Sequence, residues 1–291
     1  MGNSAHGVVL IIGSVAWDEI VRLDGPLQVG SHNAGRERTA RIGGGAANTA
    51  MALATMAPVQ SDTDSYLKPV VISAVGNDTQ GKALLTTLRE VGVCVDRIDC
   101  LGAYTTRSLV LLEKKGERTI INLTRAPVPL PPDLAHIPAD CCYVRSADPA
   151  LTPILAKRVE HSLVIAHIPP TTDGFRPAQV LVGSASDLDR AFLADPFSAG
   201  RRIAGRALEW VVITFGADGA AAYGDGAMIQ ASAPVVHVID TTGAGDVFAG
   251  GLAFALAMGE KMPTALKTAI RWGSASVGYE GTVPGSFYFA K

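Results

Sequence analysis

Short apolar runs without polar alternation recur along this sequence, and stretches with helical periodicity separate them. Residues 8–13 read Val-Val-Leu-Ile-Ile-Gly, and residues 70–75 form a second run of this kind. Continuous runs of this length are typical of strands buried on both faces of a parallel sheet. Residues 46–57 are rich in Ala, Leu and Met, and residues 80–91 carry leucines on one helical side. The alternation predicts an α/β fold, a doubly wound and mostly parallel sheet with helices on both faces.

The same alternation resumes in the second half of the chain. Predicted strands lie at residues 141–144, 163–166, 180–182 and 211–215, and predicted helices at residues 151–160, from Ala244 and from Pro263. Residues 220–223 and 228–231 flank a short turn, which predicts an antiparallel hairpin. No repeat or low-complexity linker interrupts the 291 residues, so we predict a single domain.

Two irregular stretches break this alternation. Residues 19–41 mix polar and apolar side chains in extended pieces, and residues 105–123 contain two apolar runs around Lys-Lys-Gly-Glu. A glycine-containing turn between two such runs is typical of a β-hairpin. We predict that both stretches form a small accessory sheet, although periodicity alone also allows an extension of the main sheet.

Charge, cysteine content and the N-terminus exclude several classes of protein. The formal net charge of −2 gives no strong field that would recruit nucleic acid or anionic lipid. The four cysteines form no C-x-x-C pair, which favours reduced, packed thiols over zinc ligands. No lysine or arginine precedes the first apolar run, which is also too short to span a bilayer. We therefore expect a cytoplasmic protein that acts on neither nucleic acid nor membrane.

The most informative segment for function is residues 240–251, Asp-Thr-Thr-Gly-Ala-Gly-Asp-Val-Phe-Ala-Gly-Gly. Its glycines permit a tight turn at the start of a predicted helix, where N–H groups favour anions. The backbone of Gly243, Ala244 and Gly245 is therefore a predicted anion hole. The carboxylate of Asp246 would repel a bound phosphate, which favours a general base that accepts a proton from an attacking hydroxyl. Residue type alone equally allows Asp246 to be a helix cap.

Two segments of the sequence resemble the motifs of a known family. Residues 240–251 closely resemble the C-terminal signature of the PfkB, or ribokinase-like, carbohydrate kinases, and residues 41–48, Arg-Ile-Gly-Gly-Gly-Ala-Ala-Asn, resemble their N-terminal glycine motif. The resemblance extends over nearly the whole chain. It implies transfer of the γ-phosphate of ATP to a hydroxyl of a sugar or sugar derivative, with Asp246 as the catalytic base. It also implies that the two irregular stretches form a β lid over the substrate.

The resemblance further implies an acceptor site in the first half of the chain. The implied sugar-contacting residues are Asp18, Gly43, Gly44 and Asn48. The side chain of Asn48 offers both donors and acceptors to sugar hydroxyls. Without the resemblance, the glycines could equally form a packing turn and Asp18 could be an ordinary loop residue.

Two arginines are candidates for a charged part of the acceptor. Arg107 begins a predicted strand of the accessory sheet, and Arg145 follows the strand at residues 141–144. Open α/β sheets bind ligands at the ends of such strands. Two guanidinium groups in one pocket would suit a carboxylate or phosphate, so we predict an acidic or oxygen-rich acceptor. Either arginine could instead pair with a surface acid.

The resemblance implies a nucleotide site in the second half of the chain. The implied residues are Ser184, Thr214, Gly216, Gly219 and Thr242. Relatives usually carry an Asn-x-x-Glu motif that organises magnesium, whereas this chain has Ser184-x-x-Asp187. We predict that Asp187 holds Mg²⁺ through intervening water. His167 is interpreted as a filler, because the implied reaction already has a base.

A monovalent-cation site and an assembly are also implied by the resemblance. Asp240, Thr242 and residues 277–281 resemble the site of some relatives, whose oxygen ligands would suit potassium. Lid-to-lid pairing recurs among relatives, so a homodimer is expected.

Two other functions stay open at the level of sequence. The altered Asn-x-x-Glu region allows a non-catalytic protein that binds a sugar or nucleotide as a sensor. A nucleoside kinase of the same fold would need an apolar or aromatic slot for the base, and Tyr104 is the aromatic candidate in the predicted lid. The carboxylate of Asp246 favours a kinase over a pure binding protein.

Overall fold

The computed structural model describes residues 7–57, 67–113, 118–169, 175–281 and 288–289. Its strands are β1 (Gly7–Ile12), β2 (Ala16–Leu23), β3 (Gly35–Gly43), β4 (Leu67–Val75), β5 (Ile98–Cys100), β6 (Thr106–Leu112), β7 (Arg118–Thr124), β8 (Cys141–Val144), β9 (Leu163–His167), β10 (Val180–Ser184), β11 (Trp210–Thr214), β12 (Ala220–Gly224), β13 (Ala227–Ala231) and β14 (Tyr288–Phe289). Its α-helices are α1 (Gly45–Met56), α2 (Thr79–Glu90), α3 (Leu151–Arg158), α4 (Arg190–Ala194), α5 (Pro196–Ala204), α6 (Ala244–Ala257) and α7 (Met262–Ser276).

The main sheet has nine strands within the described residues, in the order β13-β12-β11-β10-β9-β8-β1-β4-β5. The strands from β11 to β5 run parallel, and β12 and β13 join them as an antiparallel hairpin. The predictions of a doubly wound, mostly parallel sheet and of this hairpin are confirmed.

Alternate residues of the central strands fill two hydrophobic cores on opposite faces of the main sheet. Val9 and Ile11 of β1 belong to one core, and Leu10 and Ile12 belong to the other. Helices α1, α2, α6 and α7 cover the first core, and α3, α4 and α5 cover the second. Because both faces are buried, the central strands need continuous apolar runs rather than alternation.

A second sheet, called here the small sheet, has the order β14-β3-β2-β6-β7. It contains the strands of both irregular stretches, so the prediction of an accessory sheet is confirmed and the alternative of an extended main sheet is wrong. Strand β2 lies antiparallel to β3 and parallel to β6, which places Asp18 opposite Arg41 and beside Ser108. The β6–β7 pair is the predicted hairpin.

The ends of two helices show how local sequence sets the fold. Asp78 precedes α2 and caps it, because its Oδ1 accepts a hydrogen bond from the Gly81 N–H at 2.8 Å. Gly243 precedes α6 with a φ of 74°, a left-handed conformation that favours glycine. Among the described residues, no helix is both long and apolar enough to cross a membrane.

Candidate active site

The order of the main sheet reverses between β1 and β8. The chain continues from β1 to β4 on one side and from β8 to β9 on the other. The carboxyl ends of strands at such a point form a crevice, which is where open α/β sheets bind ligands. Arg145 follows β8 directly, and the first turns of α1 and α6, which pack together, bring Asn48 and Asp246 to the same place.

The carboxylate of Asp246 is held between two side chains. Asn48 Nδ2 donates to its Oδ2 at 2.9 Å, and Arg145 Nε donates to its Oδ1 at 3.3 Å. Thr49 Oγ1 also donates to the Asp246 carbonyl oxygen at 3.1 Å. Helix α6 has no side-chain cap hydrogen bond at its described N-terminus. The carboxylate therefore contacts neighbouring elements instead of capping its own helix, and 13% of its side chain remains exposed.

Two glycines of the N-terminal motif make room for charged side chains. A Cβ atom on Gly43 would lie 1.9 Å from Oδ2 of Asp18, which no side chain can tolerate. A Cβ atom on Gly45 would lie 2.6 Å from Cγ of Arg145. Gly44 lies between them, at the N-cap of α1. The motif thus lets two charged side chains reach Asp246 and its surroundings.

Asp18 is a largely buried carboxyl on the small sheet. Burial raises its pKa, Arg41 and a hydrogen bond with Ser108 act in the opposite direction, and the nearby charge of Asp246 raises it further. The net shift is upward. Asp18, Gly43 and Asn48 therefore form one cluster beside Asp246, called here the acceptor cluster.

A cavity of about 720 Å³ opens on the other side of Asp246. Its lining includes the predicted anion-hole residues Gly243, Ala244 and Gly245, the predicted nucleotide residues Ser184, Thr214, Gly216 and Gly219, and Asp187. Asp18, Gly43 and Asn48 do not line it. Asp246 thus separates a cavity of nucleotide size from the acceptor cluster.

Three predicted site residues either lie outside the cavity or already have a charged partner. Thr242 is not among the cavity-lining residues, and its hydroxyl is buried without a hydrogen-bond partner among the described residues. Arg145 does line the cavity, but it pairs with Asp246. Arg107 lies next to Ser108 on β6, so its side chain points to the face of the small sheet opposite Asp18, where it forms an ion pair with Glu19. The structure therefore does not bring Arg107 and Arg145 together in one pocket.

The family model of the pfkB family carbohydrate kinases matches residues 8–148 and 178–286. The chain belongs to this family. The chain is therefore an ATP-dependent kinase. It is 25% identical over 269 residues to a ribokinase of Schizosaccharomyces pombe, and the match covers 82% of this chain and 81% of the relative.

Solved structures share the fold of this kinase. An Arabidopsis thaliana ribokinase complexed with ribose and ATP matches with a TM-score of 0.76 and 20% identity, covering 97% of this chain and 96% of that one. A Burkholderia thailandensis nucleoside kinase in complex with inosine matches with a TM-score of 0.76 and 18% identity, covering 94% and 92%. The likeness establishes a ribokinase fold, with the large sheet and the small sheet in common.

The oxygen atoms near Asp187 fit a magnesium ion held through water. Ser184 Oγ lies 2.8 Å from Ser186 Oγ, which donates to Asp187 Oδ1 at 3.2 Å. These exposed side chains line the cavity of the kinase and present only oxygen donors, the ligands that Mg²⁺ prefers.

Sequence reasoning missed three residues that the kinase places at or near this site. Arg118 of β7 lines the cavity and donates from Nη1 to Thr241 Oγ1 at 3.2 Å, so the small sheet reaches the loop before α6. Arg41 forms a buried ion pair with Asp240. Tyr143 is buried at the end of β8 and lines the cavity. Arg41 is the first residue of the N-terminal glycine motif, and Tyr143 lies near the carboxyl end of its strand, but neither position indicates a partner.

His167, which the sequence predicts to be a packing residue without a catalytic role, lines the cavity. Burial lowers its pKa to about 4, with a further contribution from Arg145, while Asp246 acts in the opposite direction. Its Nδ1 lies 2.9 Å from the carbonyl oxygen of Ile168. The imidazole is therefore neutral near pH 7, and this contact favours the tautomer with the proton on Nδ1.

Proposed function

We propose that this kinase transfers the γ-phosphate of ATP to a hydroxyl of a sugar or sugar derivative, with Asp246 as the general base. The observation that carries the proposal is the position of the Asp246 carboxylate, between a cavity of nucleotide size and the acceptor cluster. The one-domain organisation, with the small sheet as a lid, belongs to the same proposal.

Asp246 has the contacts that a positioned base needs. Asn48 and Arg145 each donate to one carboxylate oxygen, so they fix the orientation of the carboxylate. Each carboxylate oxygen can accept more than one hydrogen bond, which leaves acceptor capacity for a substrate hydroxyl. An acceptor hydroxyl held by Asp18 and Asn48 would lie next to Asp246 and give up its proton there.

The proposed transfer breaks and forms one bond at the γ-phosphorus and moves one proton. The acceptor oxygen attacks the γ-phosphorus, its proton passes to Asp246, and the bond from the γ-phosphorus to the β-γ bridging oxygen breaks, so ADP leaves. Magnesium, when bound near Asp187, would neutralise charge on the β- and γ-phosphates. The residues of the chain do the positioning and the proton transfer.

The free N–H groups of this turn differ by one residue from the predicted anion hole. The Ala244 N–H already donates to the Thr241 carbonyl oxygen at 3.3 Å. The N–H groups of Gly243, Gly245 and Asp246 have no backbone partner in the described part of the chain. We therefore assign the developing charge on the transferred phosphoryl group mainly to these three donors at the N-terminus of α6.

A sugar acceptor is favoured over a nucleoside by the surroundings of the acceptor cluster. Tyr104, the aromatic candidate for a base slot, is 69% exposed. Asp18 and Asn48 are polar groups suited to hydroxyls. Arg107 and Arg145 each already have a carboxylate partner, so an acidic acceptor stays a prediction for the substrate panel to decide.

The test combines a panel of acceptors with one substitution. Neutral sugars, sugar acids, sugar phosphates and nucleosides are assayed with ATP and magnesium. Asp246→Asn should reduce turnover on the best acceptor by about 10²–10⁴-fold, because a positioned base is lost, while nucleotide binding is retained. Asp225→Asn, at an exposed aspartate in the turn between β12 and β13, is the control and should behave as wild type. Wild-type turnover by Asp246→Asn would refute the assignment of the base, and a preference for nucleosides would refute the substrate class.

A further inference from the structure

Arg41 and Asp240 form a buried ion pair beside the proposed anion hole. Arg41 Nη1 lies 2.8 Å from Asp240 Oδ2, and the two side chains are 5% and 6% exposed. Asp240 Oδ1 accepts from the Thr242 N–H at 2.8 Å, and Oδ2 also accepts from the Gly281 N–H at 3.3 Å. The carboxylate therefore joins β3 of the small sheet, the turn before α6, and the chain beyond α7.

The residues present do not fit the monovalent-cation site that the resemblance implied. A potassium ion needs several oxygen atoms whose lone pairs face it, and Asp240 already accepts three hydrogen bonds, one of them from the positively charged guanidinium of Arg41. The Val277 carbonyl oxygen accepts from the Ile239 N–H at 2.7 Å and from the Asp240 N–H at 3.3 Å. Gly281 directs an N–H, not a carbonyl, towards the carboxylate.

The hydroxyl of Thr242 differs from the hydrogen-bonded oxygen atoms of Asp240 and Val277. It is buried and has no hydrogen-bond partner among the described residues. The Thr242 carbonyl oxygen also accepts no backbone hydrogen bond among the described residues, but two neutral oxygens of one residue do not make a potassium site, and a cation beside them would meet the positive charge of Arg41. The charge balance of the site is already complete without an ion.

Arg41 supplies the positive charge from within the chain. Burial raises the pKa of Asp240, but the hydrogen bond and charge of Arg41, together with the hydrogen bond from the Thr242 N–H, bring the net pKa below its ordinary value. A buried carboxylate needs such compensation, and a guanidinium stays protonated at any working pH. Arg41 also lowers the pKa of Asp18, so the same charge acts on the acceptor cluster.

We infer that Arg41 is a positioning residue that takes the place of a monovalent cation, and that this kinase is independent of potassium. Arg41 fixes Asp240, which fixes the Thr242 N–H and hence the turn that leads into the proposed anion hole. In a chain without Arg41, the same carboxylate would need an ion from solution.

The first experiment uses the wild-type protein. Its melting temperature and, on any active acceptor, its turnover are measured in potassium chloride and in tetramethylammonium chloride at equal ionic strength. Both quantities should be the same in the two salts, since a ligand that does not bind the folded state does not stabilise it. A specific increase of melting temperature or turnover with potassium would overturn the inference. The melting temperature needs no acceptor, so this result is independent of the proposed reaction.

The second experiment removes the internal charge. Arg41→Met keeps most of the side-chain volume and leaves Asp240 uncompensated, so the melting temperature should fall and potassium should now raise it. Turnover in tetramethylammonium should drop, and potassium should restore it by about tenfold, a typical size for coupling between sites. A folded Arg41→Met protein that stays indifferent to potassium would overturn the inference.

Two further variants make this result specific. Arg158 is another buried arginine, 2% exposed, which donates to the carbonyl oxygens of Leu134 and Ile137. Arg158→Met should lower the melting temperature without any potassium response. If Arg41→Met does not fold, the double variant Arg41→Met/Asp240→Asn removes both charges and should melt at the same temperature in both salts. A potassium response in the double variant would overturn the inference, because no carboxylate remains there to attract the ion.

Discussion

On one side of Asp246, the acceptor cluster is built from contacts between elements that are far apart in sequence, whereas the Ser184–Asp187 turn in the cavity on the other side is held by local contacts. Asn48 and Asp246 are joined across 198 positions, and both are largely buried. Ser184, Ser186 and Asp187 hydrogen-bond to one another within one short turn and are partly or fully exposed. We therefore expect the first side to be the more rigid of the two.

The difference matches the chemistry that each side has in the proposed reaction. Proton transfer and in-line attack require atoms placed within a few tenths of an ångström, which only a packed, cross-linked cluster provides. Phosphates and magnesium carry their own charge and water, so exposed hydroxyls and backbone N–H groups suffice to bind them. The cavity also exposes apolar Val235 and Val238, at 104% and 56%, which a nucleotide base could cover.

The largest effect that would test this contrast is a methyl group added on the acceptor side. In Gly43→Ala, the new Cβ would lie 1.9 Å from Asp18 Oδ2, so either Asp18 or strand β3 must move. We expect turnover to fall by about 10²-fold or more, since small misplacements of reacting groups are costly. Overpacking should also lower the free energy of unfolding by about 1–3 kcal/mol.

The matched control is a methyl group added on the cavity side. A Cβ atom on Gly245 meets nothing within 4 Å among the described residues. Gly245→Ala should keep or raise the free energy of unfolding, because alanine is the better helix former by up to about 1 kcal/mol. Turnover and the free energy of unfolding in urea are measured for both variants and compared. Equal losses from the two substitutions would show that the two sides do not differ in rigidity.

A second test concerns His167, at the boundary between the two sides. Its pKa is lowered to about 4, mainly by burial, from an ordinary value of 6.5. Below about pH 6.5, the unfolded chain takes up a proton that the folded protein does not bind until about pH 4. Stability from this group is therefore lost as the pH falls through that window.

The expected size follows from the same linkage. Going from pH 7 to pH 5, wild type should lose about 1–2 kcal/mol more unfolding free energy than His167→Asn, which has no such group. Arg145, Asp187 and Asp246 face this ring and keep their contributions in both proteins. His161→Asn, at a side chain that is 66% exposed, is the control and should follow wild type. An identical pH dependence of wild type and His167→Asn would show that the ring is not held neutral by burial.

Much of the fold was predictable because its signals are local. Continuous apolar runs identified the central strands, and the irregular stretches identified the small sheet, because each pattern reflects burial of one or two faces. The glycine motifs pointed to the first turns of α1 and α6, the elements that carry Asn48 and Asp246. These features depend on residues that are close in sequence.

What the sequence did not predict depends on long-range pairing. The Arg41–Asp240 pair joins residues 199 positions apart, and nothing in either local pattern indicates it. The orientation of Arg107 was missed because it depends on the register between β2 and β6, which places Ser108, not Arg107, beside Asp18. A shift of one residue along a strand reverses the face of every side chain. A charged partner that depends on strand register can be identified only from the structure.

The smallest effect is expected at Asp187, and it tests the looser side directly. The Asp187 carboxylate is exposed, accepts from Ser186 Oγ at 3.2 Å, and would hold magnesium through water rather than directly. Asp187→Ala should therefore raise the magnesium concentration for half-maximal rate by roughly 10-fold, the lower end of the loss expected for an outer-shell partner of a metal. The affinity for the acceptor should stay unchanged, because the acceptor cluster lies on the far side of Asp246.

Asp189→Ala is the control, since Asp189 caps α4 through the Phe192 N–H at 2.7 Å and is not among the cavity-lining residues. A magnesium dependence unchanged by Asp187→Ala would show that this turn does not organise the metal. A weaker acceptor affinity in the same variant would show that the two sides are coupled more tightly than their contacts indicate.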